Sequence, residues 1–524
     1  MQLSRQSAGR GTFLMRIAGA ALLVALADWF FYGAWAGATL GGFAFAWIAA
    51  MLLLNPAVRR QRQPRIAIGG ALLFAGVLVD APGLLSWALF WTALACAVLL
   101  VRHRFDNAAD WMIRLFLHVV TGLVSPIRDL IRIGPVQRRA GAPQLVAILS
   151  VLALPLLGGA LFIALFAGAN PLIAHALSAI RLPGLDTALY HLMFWALIAV
   201  MVWPSLRSSR LATGIARWHW PFAGARITTV PAGSVLLSLI TFNGLFAVEN
   251  ILDIVFLWSG APLPGNVTMA DYAHRGAYSL IATALLAALF VLVALRPGSE
   301  SARTPLIRRL VVLWIAQNLL LVASSILRTL DYVTAYGMTE WRIAALLWMG
   351  LVATGLILIC RRLIAGLSTR WLINANVLAA VIVLSGSSIV SLGGIAAAWN
   401  VRHSRIGGTG STPIDLCYMH RLGAAALIPL IRLEPRVKDA AMRDRITYLR
   451  SDIMQQLRAT QADWHQWTWR DARRLSTAEK LLGTRPAMAA TAPDGRDCDA
   501  TIRKPQVPEP VVQAASPLTN GSGQ

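Results

Sequence analysis

No lysine precedes Lys438, so arginine carries nearly all the positive charge of this 524-residue chain. That bias reads as codon usage, not chemistry. Charge is scarce in general: 14% of residues are charged, against about 25% in an ordinary soluble domain. A conventional soluble fold is therefore excluded. Cysteine is scarcer still. Four residues, Cys96, Cys360, Cys417 and Cys498, are too few and too scattered for a disulfide framework or a zinc site. A bridge between Cys417 and Cys498, 81 residues apart, is left open. The nine histidines show no HExxH pattern or other ligand spacing, and no nucleophile elbow occurs. Gly407 to Thr412 resembles a phosphate loop but lacks the lysine that would reach a phosphate. No cofactor and no metal is expected.

What the chain has in excess is apolar residue, 57% of the total, gathered in long runs. About 20 residues of helix cross the hydrocarbon, and a spanning segment must satisfy its own backbone hydrogen bonds, so such runs are helices. Eleven candidates lie at roughly 14–32, 36–54, 66–80, 83–101, 144–167, 188–206, 232–257, 276–295, 308–327, 342–360 and 371–398. The third is short and is left open as a re-entrant segment. The first resembles a signal peptide, but Asp28, Trp29 and Phe30 make a poor cleavage site, so it is expected to stay as a helix.

Arginine tests this count independently. With the amino terminus in the cytoplasm, the inner segments hold 25 Arg, while the short outer loops hold only Arg181, Arg275, Arg328 and Arg342. This asymmetry is the positive-inside pattern, and a miscounted helix would invert it downstream. The net charge of +23 is thus a topology signal and not a nucleic-acid footprint. The expected location is a bacterial inner membrane, with an odd helix number placing the carboxy terminus outside. In the long inner segment 102–143, an amphipathic stretch through Asp110, Arg114 and His118 is expected to lie on the membrane surface and to end before Pro126.

The expected fold class is all-α: a polytopic transmembrane bundle over 1–400, a small helical extracytoplasmic domain over 401–483 and a disordered tail over 484–524. Helical patterns fall at about 414–433, 436–458 and 463–482. Trp464, Trp467 and Trp469 with Arg470, Arg473 and Arg474 resemble a helix that touches the membrane interface.

Polar residues inside apolar runs are costly and therefore informative. The seventh run carries Asn243, Glu249, Asn250 and Asp253 on one stripe. Candidate companions are Tyr272, His274 and Arg275 at the entry to the eighth run, Gln317 and Asn318 in the ninth, and Arg328 and Tyr336 after it. Together they are expected to line an outward-facing polar pocket that transports or senses an envelope compound. Two alternatives are a membrane enzyme acting on a lipid-linked envelope substrate and a non-catalytic assembly scaffold. The structural alternative for the same residues is an interhelical hydrogen-bond network that fixes packing. Membrane lipids, and an envelope protein held through 401–483, are the expected partners.

The segments Asn243 to Asp253, Tyr272-Ala-His-Arg-Gly-Ala-Tyr278, Leu295-Arg-Pro-Gly298, Trp314-Ile-Ala-Gln-Asn318, Ala335-Tyr-Gly-Met-Thr339 and Asn400-Val-Arg-His403 carry a resemblance. The chain resembles, over roughly 145–435, a bacterial membrane family catalogued as domain of unknown function 4173, close to the 4153 family. The resemblance implies a multi-spanning inner-membrane protein and carries no activity, cofactor or catalytic residue.

Overall fold

The computed structural model describes residues 2–138, 185–207, 231–258, 304–406, 409–483, 486–492 and 495–503, with a few single positions between them. Among these the chain is all helical, and its only β features are two isolated bridges. Seven described helices are long and apolar enough to cross a membrane, and two more are apolar but shorter. The chain is a membrane protein.

One group of helices comprises α1 (Gln2–Phe31), α2 (Thr39–Leu54), α3 (Arg62–Asp80), α4 (Leu84–Leu99), α5 (Ala108–Arg138) and α6 (Leu185–Leu206). Its core interleaves Leu23, Ala27, Phe43, Trp47, Leu78, Phe90 and Leu206, all essentially buried. Hydrocarbon offers no hydrophobic driving force between such helices, so close approach and van der Waals contact hold them. Gly41 on α2 shows this: a Cβ there would lie 2.6 Å from the Val79 amide nitrogen and 2.8 Å from the Ala75 carbonyl of α3. The indole of Trp47 in this core is answered directly, as its Nε1 donates to Ser205 Oγ at 2.6 Å.

The second group comprises α7 (Ala232–Asp253), α8 (Pro305–Tyr336), α9 (Glu340–Ala365) and α10 (Thr369–Ile389). Its helix ends follow from local chemistry. Thr339 caps α9 by accepting from the Arg342 amide, and Gly366 ends it in the left-handed region at φ 65°. Ser368 accepts from the Trp371 amide and starts α10. These side chains satisfy amides that a helix start leaves without partners.

After α10 a break at Val390–Ser391 leads into α11 (Leu392–Arg402), which Ser391 caps. A helical cap follows: α12 (Leu416–Arg421), α13 (Ala424–Leu433), α14 (Ala440–Ala462) and α15 (Trp469–Leu482). Its core is built on Met419, Leu427, Leu430, Ile446, Leu449 and Ile453. Arg450 is buried there against Glu434 at 2.9 Å and also donates to the Ala487 carbonyl at 2.5 Å.

Several expectations need correction. The eleventh run is two helices, because Ser391 caps a new start ahead of Gly393 and Gly394. The pattern at 414–433 is likewise split at Gly423, whose φ of 54° suits glycine. The ninth run forms α8, which continues to Tyr336, well past the apolar stretch, so Arg328 is a helix residue and not a loop residue. The third run forms a 19-residue helix, long enough to span. The amphipathic helix does not stop at Pro126 but continues to Arg138. Residues 486–492 and 495–503, expected to belong to a disordered tail, instead fold back on the cap as a strap. Cys417 and Cys498 are joined by a disulfide; Arg496 pairs with Asp444 at 2.6 Å and Arg445 with Asp499. The expected spans at 144–167 and 276–295 lie essentially outside the described residues.

Candidate functional site

The polar stripe of α7 meets α8 along a seam. Asn243 Nδ2 donates to its own-helix Leu239 carbonyl at 2.7 Å and across to the Leu310 carbonyl at 3.2 Å. One heptad on, Asn250 Nδ2 repeats the pattern, to Phe246 O at 2.7 Å and Gln317 O at 3.4 Å. Gln317 Nε2 donates back to Asn243 Oδ1 at 3.3 Å, and Asn318 donates to Trp314 O at 2.8 Å. The order of these contacts shows that α7 and α8 run parallel. A seven-residue repeat keeps one stripe facing its neighbour, which is why two asparagines seven apart do the same work.

The seam ends in charge. Arg328 of α8 forms a buried ion pair with Asp253 of α7, and its guanidinium lies 4.0 Å from Glu249. The two carboxylates differ sharply: the Asp253 side chain is 3% exposed and that of Glu249 48%. Just beyond, α7 widens into a π turn, Ile254–Trp258, whose Trp258 Nε1 donates to Ser324 Oγ at 3.2 Å. Of the residues expected to gather here, Asn243, Glu249, Asn250, Asp253, Gln317, Asn318 and Arg328 lie along this seam. Tyr336 does not join it; its ring is half exposed and lies 4.9 Å from that of Tyr332, over which Arg342 sits at 4.1 Å. Tyr272, His274 and Arg275 lie outside the described residues.

A second junction joins the cap to the bundle. Gly37, between α1 and α2, donates its amide to the His465 carbonyl at 2.6 Å, and the Ala38 amide donates to Trp467 O at 2.7 Å. A Cβ at Gly37 would sit 2.5 Å from the Gln466 carbonyl carbon, so only glycine allows the chains this close. Asp80, the last residue of α3, accepts from Arg470 Nε at 2.8 Å and from Arg473 at 2.6 Å. Arg470 also donates to Ile389 O at 2.6 Å, and Arg474 to Ser391 Oγ at 2.8 Å. The three arginines expected to face the membrane interface thus bind the ends of α3, α10 and α11. Trp464 packs beside Trp29 and Phe30 of α1, with ring centroids 5.4 Å and 6.1 Å away.

This junction is absent from the expectations drawn on sequence. Asp80 stands at the end of an apolar run ahead of Pro82-Gly83, and nothing in the sequence marks a partner 390 residues away. Equally unmarked is a polar group near the same end of α1, where Asp28 Oδ1 meets His191 Nδ1 and Trp195 Nε1, both at 2.9 Å.

No curated protein and no solved structure matches the chain. A family model does match, over residues 67–433, from within α3 to the end of α13. The resemblance carried by the loop motifs starts near residue 145 and points first to the 4173 family; the match starts earlier and is to its relative. More than half the chain is covered, and the chain belongs to the family described as "Domain of unknown function (DUF4153)".

Proposed function

We propose that this protein is a non-catalytic platform of the bacterial inner membrane, whose bundle holds the helical cap rigidly on its outer face for an envelope protein partner. The amino terminus is then cytoplasmic, the carboxy terminus extracytoplasmic, and the spans number eleven. The arginine asymmetry supports the orientation. The parallel course of α7 and α8 supports the count, since neighbours that run the same way leave an odd number of crossings to the chain between them. The Cys417–Cys498 disulfide suits an oxidising compartment outside the cytoplasm.

The observation that carries this reading is the contrast between the two junctions. The seam turns its polar groups on one another and on backbone carbonyls, which is what packing in hydrocarbon requires. The cap is fastened to three separate parts of the bundle by backbone bonds, arginines and aromatic contacts.

A second reading, an outward-facing site that transports or senses an envelope compound, is favoured by Glu249. A half-exposed carboxylate 4.0 Å from an arginine already paired with Asp253 is placed to take a cation. Cysteine accessibility separates the readings. Cys96 and Cys360 would be replaced by serine, the Cys417–Cys498 bond kept, and Asn250→Cys treated with a membrane-impermeant thiol reagent. The platform predicts no labelling in intact cells or inverted vesicles. Labelling from outside alone would sink it in favour of a receptor, or of an enzyme acting on a lipid-linked substrate; labelling from both sides would mean transport.

A further inference from the structure

A cavity of about 620 Å³ lies between α1, α6 and α5, apart from the α7–α8 seam. Its walls are stripes at helical spacing: Ala21 and Ala25 on α1, Ala196 and Ala199 on α6, with Pro126 of α5 opposite. Leu192 and Trp195, at its edge, stay partly exposed. Small side chains on two neighbouring helices leave a trough, and the trough is long. It runs along α1 from Phe13 to Asp28, about 22 Å at 1.5 Å per residue.

Width decides what fits. Spread over that length, the volume corresponds to a channel of roughly 28 Å² in section. A trough of that length and section suits a single extended hydrocarbon chain. A chain anchored at the Asp28 end reaches down about 15 Å, half the hydrocarbon thickness, past Ala25 and Ala21.

The two ends differ in charge. At the far end Asp129 already has Trp203 Nε1 at 3.1 Å and the Arg207 guanidinium at 3.4 Å. At the cap-side end Asp28 meets neutral or weakly basic groups, His191 Nδ1 and Trp195 Nε1, and the Tyr32 ring stacks on His191 at 3.5 Å. A carboxylate near a membrane surface attracts an ammonium group by charge. We infer that this trough binds one phospholipid carrying a primary ammonium headgroup, with the headgroup at Asp28 and one acyl chain along Ala25, Ala21 and Ala199.

The test is native mass spectrometry of the full chain after delipidation and exposure to defined micelles. Phosphatidylethanolamine should be retained at one per chain, and phosphatidylglycerol of the same acyl chains should not. Asp28→Asn should cut retention about tenfold, the scale of a lost charged hydrogen bond. Ala199→Leu, which fills the trough and leaves Asp28 untouched, should do the same while the protein elutes as one species with its disulfide intact. Equal retention of the two lipids, or undiminished retention by the Ala199→Leu protein, would overturn the assignment.

Discussion

The α7–α8 seam and the cap junction both join helices through polar groups, yet they use opposite means. In the seam every bond is local or spans one interface: amide side chains donate to carbonyls four residues back, and one arginine meets one buried aspartate. In the cap junction the partners lie 81 to about 430 residues apart, and several remain half in solvent; the Arg473 side chain is 63% exposed. The solvent explains the difference. Hydrocarbon leaves no polar group unanswered without cost, so the seam holds few polar side chains and gives each buried one at least one partner. Water screens each exposed ion pair to a fraction of a kcal/mol, so a junction at the surface needs many of them, together with backbone bonds and a shape that excludes anything larger than glycine.

The sharpest way to break this comparison is to remove one partner from each side. Arg328→Ala leaves Asp253 buried without its cation, a change that costs about 3–5 kcal/mol in a buried pair. Arg473→Ala removes a largely exposed pair with Asp80, worth under about 1 kcal/mol. Thermal unfolding in detergent, followed by size-exclusion recovery, should show a large loss for the first and almost none for the second. Adding Asp253→Asn to Arg328→Ala should restore part of the loss. If the two single variants behave alike, the seam is not a dry packing interface.

Why is the seam legible in the sequence and the cap junction not? Asn243, Glu249, Asn250 and Asp253 stand out because polar residues are rare in an apolar run, and their spacing places them on one face. Their partner Arg328 is visible only as a residue after a helix, because the apolar run stops before it while the helix continues. Burial cannot be read from type: Glu249 and Asp253 look equivalent in sequence, and only the packing of α8 makes one buried and the other half exposed. Arg470, Arg473 and Arg474 beside three tryptophans have the composition of a membrane-surface helix. Composition cannot say that the end of α3 is nearer than lipid. The strap is hidden for the same reason, since residues 486–503 are rich in turn formers and make sense only once Cys498 is bonded to Cys417.

Breaking the disulfide should have the next largest effect. The bond closes a loop that holds the strap across α14, and its loss costs about 2–4 kcal/mol where the reduced chain is free to open. Cys498→Ser should therefore expose 486–503 to limited proteolysis in detergent while the bundle, whose described contacts do not involve the strap, stays intact. A strap cut no faster than in the parent would mean that Asp444, Arg445 and Arg450 hold it without the bond.

Acid should loosen the same strap, more gently. Burial alone would raise the Asp444 carboxyl, but hydrogen bonds from Arg496 and the Ala490 amide, with the charge of Arg496, outweigh it and leave its pKa lowered. The Thr501 amide and hydroxyl lower Asp499 against a smaller opposing effect of burial, and the charge of Arg445 adds to this. A carboxylate depressed in the folded state stabilises it at any pH above its unfolded value, about 3.9, and that stabilisation is lost as pH falls through the lower folded value. Between pH 7 and about 5 the strap should therefore hold unchanged, and amide exchange at Ala490 and Thr501 should quicken only below about pH 4. Asp444→Asn should remove most of that acid response at Ala490 and leave the response at Thr501, because the two anchors titrate on separate carboxylates. Loosening near pH 6 instead would show that neither carboxylate is the group that holds the strap.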